Sequence, residues 1–195
     1  MTLALPILRA ISRRRITEIM SQYSLDESEL PSDTTRYVTN VNSSDTVRYI
    51  KEFAPDVVLV NGTRIIRSHV LECTDAPFIN THAGVTPMYR GVHGGYWALW
   101  NQDHRQFGAT VHLVDKGVDT GTPISFATTV PDRRDNFCTY PLLQQAISLP
   151  GIQLALEDLA AGKMLRRADS PARFSRQWYH PTLWGYASGL LRGVK

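Results

Sequence analysis

The sequence is poor in cysteine: Cys73 and Cys138 are its two among 195 residues. That excludes a disulfide-stapled scaffold and fits a reducing compartment, so the chain is expected in the cytoplasm. No apolar run approaches the ~18 residues of a membrane-spanning helix, and no membrane partner is expected. The apolar run from Leu3 to Leu8 is too short for a secretory signal core, and its positive charges, Arg9 and Arg13 to Arg15, follow it instead of preceding it. Internal repeats, low-complexity blocks and Gly/Ser linkers are missing. So are the nucleotide-cradling patterns GxGxxG and GxxxxGK[ST]. Composition is otherwise ordinary, with 43% hydrophobic and 20% charged residues, which excludes disordered, collagen-like and coiled-coil chains.

A chain of this length is one domain by the usual prior, and it buries enough surface to fold without staples. Its net charge is +3, unevenly spread. Residues 163–195 hold seven basic residues, from Lys163 to Lys195, against the single acid Asp169, a net +6. This segment reads as a solvated, mobile extension in preference to a nucleic-acid surface. The expected division is therefore a domain over 1–162 and a basic C-terminal extension over 163–195.

The pattern alternates helices and strands. Residues 8–20 have helical periodicity through Leu8, Ile11, Ile16, Ile19 and Met20. Residues 24–33 read as loop and 35–39 as β-rich. A helix capped at Ser44-Asp45 carries Val47, Ile50 and Ala54 on one face and ends at Pro55. The β-branched run over 56–60 reads as a parallel strand covered on both faces. Further strands are expected over 77–80, 109–114 and 124–130, with helices over 94–101 and 142–161, the last interrupted at Pro150-Gly151. The class is α/β: an open, Rossmann-like, mostly parallel sheet with helices on both faces.

In such sheets ligands lie beyond the carboxyl ends of the strands. There the sequence places Asn80-Thr81-His82. Residues two apart on a strand share a side, so the Asn80 amide and the His82 imidazole can reach one point and stabilise an oxyanion. The turn from Asp115 to Gly121 contains Asp119, which can orient His82 and hold its charge. No nucleophile accompanies them, which leaves a site that stabilises a tetrahedral intermediate and moves protons while a substrate supplies the nucleophile. A strand-end cap at Asn80 with a structural His82 is the alternative. His82, His93, His104 and His112 fall within 31 residues but lack metal-ligand spacing, so no metal is expected. His112 alternates with Val111 and Leu113, which suggests a core or supporting role. Trp97 and Trp100, three apart, read as core.

The stretch Asn80-Thr81-His82-Ala83-Gly84-Val85-Thr86-Pro87-Met88-Tyr89-Arg90-Gly91, followed by Asp115 to Gly121, resembles the folate-dependent formyltransferase family. That family includes glycinamide ribonucleotide transformylase, the catalytic domain of methionyl-tRNA formyltransferase and sugar N-formyltransferases. The resemblance covers residues 35–160. It implies Asn80, His82 and Asp119 as the catalytic trio. It implies a folate pocket from Thr63, Arg64, Ile65 and Ile66 on one side and Val114, Asp115 and Val118 on the other. Tyr89, Arg90 and Gly91 would lie near the acceptor. The reaction implied is formyl transfer from 10-formyltetrahydrofolate, without a metal, to a primary amine of a small molecule of amino-sugar-nucleotide or glycinamide-ribonucleotide type. Nucleic acid, tRNA included, is not the expected partner; self-association is a further expectation. A 10-formyltetrahydrofolate hydrolase using the same trio, and a degenerate folate-binding chain, are the alternatives. The family's usual first strand and its Gly-containing loop are not seen upstream of these motifs, so the fold is expected to be N-terminally shortened, with exposed apolar surface over 57–60.

Overall fold

The computed structural model describes residues 4–170 and 172–195, so Leu3, at the start of the first apolar run, lies outside the described residues. The elements are α1 (Ala4–Gln22), α2 (Ser44–Phe53), β1 (Val58–Val60), α3 (Ser68–Leu71), β2 (Phe78–His82), β3 (Arg90–Gly91), α4 (Gly94–Trp100), β4 (Gly108–Leu113), β5 (Pro123–Thr128), α5 (Tyr140–Ala160), β6 (Gln177–Trp178) and α6 (Leu183–Leu191). The class is α/β. The main sheet has the order β1-β2-β4-β5, and a second ladder joins β3 to β6.

The sheet is mixed rather than mostly parallel. β1 and β2 run parallel, but β2 with β4 and β4 with β5 run antiparallel. The connections account for two of the three pairings. β1 reaches β2 through a crossover containing α3, whereas nine irregular residues join β4 to β5, and a strand pair without a covering crossover closes as a hairpin.

Helix α5 covers one face of the sheet, where Ala155 packs with Ile79, Val111 and Ile124. On the other face Val47 and Ile50 of α2 meet Val58, Val60, Val70 and Phe78. Burying each side chain of this size stabilises the fold by about 1.5–3 kcal/mol. The cap of α2 is Ser43, one residue earlier than expected, its hydroxyl accepting from the Thr46 N–H at 3.3 Å. A left-handed Ala54 ends the helix.

Four further expectations meet a different outcome. β1 is not doubly covered: it pairs with β2 alone, and Leu59 is 50% exposed. Residues 35–39 form no strand, because β-propensity without a partner edge makes no ladder. Pro150 does not interrupt α5, which runs through it. Gly151 then lies so close to β5 that a Cβ would overlap the Ser125 hydroxyl. In α1, Ile19 is fully buried against the α4–α5 cluster, but Ile11 is 74% exposed. Helix α1 leans on α5 rather than on the sheet, and an apolar trough of about 1210 Å³ opens between Met20, Leu25, Leu59 and Leu149.

The basic segment after residue 162 does not trail into solvent. Its β6 pairs with β3. Trp178, 7% exposed, stacks on Trp97 with ring centroids 4.8 Å apart, and its indole N–H donates to the Met88 carbonyl at 2.9 Å. Tyr186 of α6 packs beside Tyr96 and Phe137. Aromatic burial on this scale outweighs the repulsion of solvated like charges.

Candidate active site

Strand β2 carries Asn80 and His82 on one side, and the antiparallel register sets Asn80 opposite His112 and His82 opposite Thr110. The turn between β4 and β5 brings in Asp119. An Asx turn shapes it: Asp115 Oδ1 accepts from the Gly117 N–H at 3.0 Å and the Thr120 hydroxyl at 2.7 Å. Asp119 itself has φ +51°, a strained value for a non-glycine residue. Arg90 braces the turn from below, Nη1 donating to the Val118 carbonyl at 2.9 Å.

These elements bring four polar side chains together. His82 Nδ1 lies 3.4 Å from Asp119 Oδ2. His112 Nε2 lies 3.2 Å from the Asn80 amide and 3.7 Å from Asp119 Oδ1. His82 Nε2 lies 2.7 Å from the Tyr89 carbonyl; a carbonyl only accepts, so this nitrogen carries the hydrogen and Nδ1 faces Asp119. Burial lowers the His82 pKa against the raising effect of Asp119. Burial works to raise the Asp119 pKa, but the His112 ring, the charge of His82 and the Gly91 N–H outweigh it and hold Asp119 below its ordinary value. At neutral pH the site therefore pairs a neutral imidazole with an ionised carboxylate, the arrangement suited to receiving a proton.

The cluster lies on the floor of a cleft of about 460 Å³. All seven residues expected around a folate line it: Thr63, Arg64, Ile65 and Ile66 on one wall, Val114, Asp115 and Val118 on the other. The Ile66 side chain is buried, Ile65 is 66% exposed, and among the described residues the backbone N–H groups of Arg64, Ile65 and Ile66 meet no protein acceptor. An apolar cradle with free backbone donors fits a planar heterocycle with edge acceptors.

The three residues expected near an acceptor are not placed alike. Gly91 lines the cleft, but Tyr89 and Arg90 do not. The Tyr89 ring, 1% exposed, points the other way and donates its hydroxyl to Asp103 at 3.0 Å; only its carbonyl serves the site. In their place stand Gln177, Tyr179 and His180, which sequence reading missed. The available signal was the two-residue alternation about Trp178, with Gln177 and Tyr179 on either side of a core indole. The apolar trough beneath α1 is larger but holds none of the four clustered polar residues. Among the described residues no helix is long and apolar enough to cross a membrane.

Comparison with known proteins follows the geometry. A family profile described as Formyl transferase matches residues 9–132, more than half of the chain. The chain is 26% identical over 137 residues to the methionyl-tRNA formyltransferase of Caldanaerobacter subterraneus subsp. tengcongensis, covering 69% of this chain and 44% of that protein. It thus spans less than half the length of this curated relative. In fold it is similar to a sugar N-formyltransferase from Shewanella, with TM-score 0.55, 22% identity and coverage of 79% of this chain and 65% of that one. A further likeness is to the formyltransferase PseJ from Anoxybacillus kamchatkensis, solved with UDP-4,6-dideoxy-4-formamido-L-AltNAc and tetrahydrofolate. The TM-score is 0.51 at 20% identity, over 85% of this chain and 80% of that one.

Proposed function

The chain belongs to the formyl transferase family, and from that premise we propose that it transfers a formyl group from 10-formyltetrahydrofolate to a primary amine of a small-molecule acceptor. The observation that carries this reading is the cluster of Asn80, His82 and Asp119 in one cleft that the 63–66 loop and Gly91 also line.

Thr63–Ile66 and Val114–Val118 would hold the folate, whose bound form supplies an electrophilic formyl carbon. Asn80 has two amide hydrogens, and the one not facing His112 is free to donate to the oxygen on which negative charge develops. His82 Nε2 is committed to Tyr89, so Nδ1 is its working nitrogen: the proton shed by the attacking amine reaches it by way of Asp119, and the imidazolium so formed donates to the same oxygen with its charge balanced by Asp119. That same proton then passes to the departing folate nitrogen, which returns His82 to its neutral form. Each donor in such a hole is worth about 3–4 kcal/mol in the transition state. Burial of His82, 7% exposed, excludes water and strengthens these interactions.

Incubation with 10-formyltetrahydrofolate and candidate amines tests the reading: a nucleoside-diphosphate amino sugar, glycinamide ribonucleotide and methionyl-tRNA. Formylated small molecule detected by mass spectrometry supports it. Formylation of the tRNA alone rejects the small-molecule acceptor, and formate released at the same rate without amine rejects transfer altogether.

A further inference from the structure

Resting on the formyl-transfer reading, we propose that Gln177, Tyr179 and His180 form the acceptor subsite and recognise an uncharged, hydroxyl-bearing ring next to the reacting amine. The 63–66 loop leaves β1 just past Val60, the strand partner of Asn80, whereas residues 177–180 reach the polar cluster from the Asp119 side, through Gly91, which pairs with Trp178 and donates to Asp119. With the folate on the 63–66 side and Asn80, His82 and Asp119 between, the amine approaches the formyl carbon from the 177–180 end.

The chemistry of that end is specific. Among the described lining residues the one Lys or Arg is Arg64, at the folate end. Arg176 is turned away, its guanidinium 3.9 Å above the Trp178 ring. His180 is hydrogen-bonded to His93, Nδ1 to Nε2 at 2.9 Å. His93 stays uncharged, its pKa lowered to about 4 by burial and by the charge of His180. What lines that end is an amide, a phenol ring 67% exposed and the His180 imidazole. Such a wall donates to and accepts from hydroxyl groups and stacks on the apolar face of a ring, and it holds neither Lys nor Arg to pair with a phosphate.

The wall is also held rigidly, as a specificity element must be. The Trp97 indole N–H donates to the Tyr179 carbonyl at 2.9 Å, and the Val92 N–H to the Trp178 carbonyl at 3.1 Å. His93 adopts φ +59°, a conformation that presents its ring to His180 on one side and to Phe137, 4.2 Å between centroids, on the other.

The test uses the full chain, with a neutral methyl 4-amino-4,6-dideoxyhexoside and glycinamide ribonucleotide as acceptors and 5-formyltetrahydrofolate as the folate probe. Calorimetry and steady-state kinetics are run on wild type, Tyr179→Ala, His180→Ala and His180→Gln, each checked by thermal melt. The proposal expects wild type to bind the glycoside, and Tyr179→Ala and His180→Ala to raise its KM about tenfold. In both variants kcat should change by less than about threefold and folate affinity should stay unchanged, and His180→Gln should recover most of the loss. Wild-type failure to bind the glycoside, unchanged KM in both alanine variants, or a larger loss with glycinamide ribonucleotide overturns the subsite. Wild-type failure to bind the folate probe overturns the formyl-transfer reading instead, which separates the two.

Discussion

The backbone N–H of Gly91 donates to Asp119 Oδ2 at 2.9 Å, the same oxygen that faces His82 Nδ1. Gly91 is also the β3 residue paired with Trp178, at φ +92°, so close that a Cβ would overlap the Trp178 carbonyl. One glycine thus couples the orientation of the carboxylate to a strand almost ninety residues later. The C-terminal segment, expected as a solvated extension, is part of what holds the polar cluster in place.

His82→Ala and Asp119→Ala should each lower kcat by about 10²-fold or more, with folate affinity nearly unchanged. The two side chains meet at Nδ1 and Oδ2, so the double variant should lose little more than the worse single one. Single-turnover rates on the three variants check this; near wild-type rates in either single variant would reject the assigned roles.

Gly84→Ala should abolish turnover. A Cβ there would lie 2.7 Å from His82 Nε2 and overlap the Tyr89 carbonyl that holds it. The His82 ring must rotate off its acceptor or the loop must shift, at a cost of about 1–3 kcal/mol. Urea unfolding measures the stability loss, and the ring signals of His82 in an NMR spectrum report the displacement.

Trp178→Ala should destabilise the fold by about 3–5 kcal/mol, the range for truncating a buried aromatic. It removes the stack on Trp97, a second stack on Tyr89 and the bond to the Met88 carbonyl. Leu59→Ala, at the open edge of β1, should cost well under 1 kcal/mol because half of that side chain is already in water. Chemical denaturation of the two variants side by side tests the contrast; equal losses would contradict the packing described.

Acid should destabilise the protein well before the carboxylates as a class are protonated. Burial lowers the pKa of His82 and, together with the charge of His180, takes that of His93 to about 4. Below the ordinary histidine value of about 6.5 the unfolded chain takes up protons that the folded chain refuses, so stability falls as pH drops through the window from about 6.5 toward 4. Asp119, also held low, adds a loss of the same sign at more acid pH. Melting temperature against pH should show this fall, and His93→Asn, which tolerates the same backbone conformation, should flatten it. An unchanged slope in that variant would reject His93 as a contributor.

The local part of this protein is legible in the residues alone. Asn80 and His82 share a side because strand geometry has a period of two, and Asp119 sits in a turn whose Asx and glycine signals are written into Asp115 to Gly121. The 63–66 loop follows a recognisable strand, and α2, α4 and α5 follow their apolar periodicity. Other features depended on groups distant in sequence. Whether residues 35–39 become a strand depends on a free edge that no local pattern encodes, and Leu59 is half exposed because β1 has a partner on one side only. The direction of the Tyr89 ring was set by Asp103 and Trp178, which hold it away from the cleft. Residues 177–180 wall the cleft because aromatic packing of Trp178 on Trp97 draws them back across it. Hydrophobic burial is non-directional and acts between residues of any separation, so the sequence by itself determined the candidate chemistry of the site, and only the tertiary structure decided which residues enclose it.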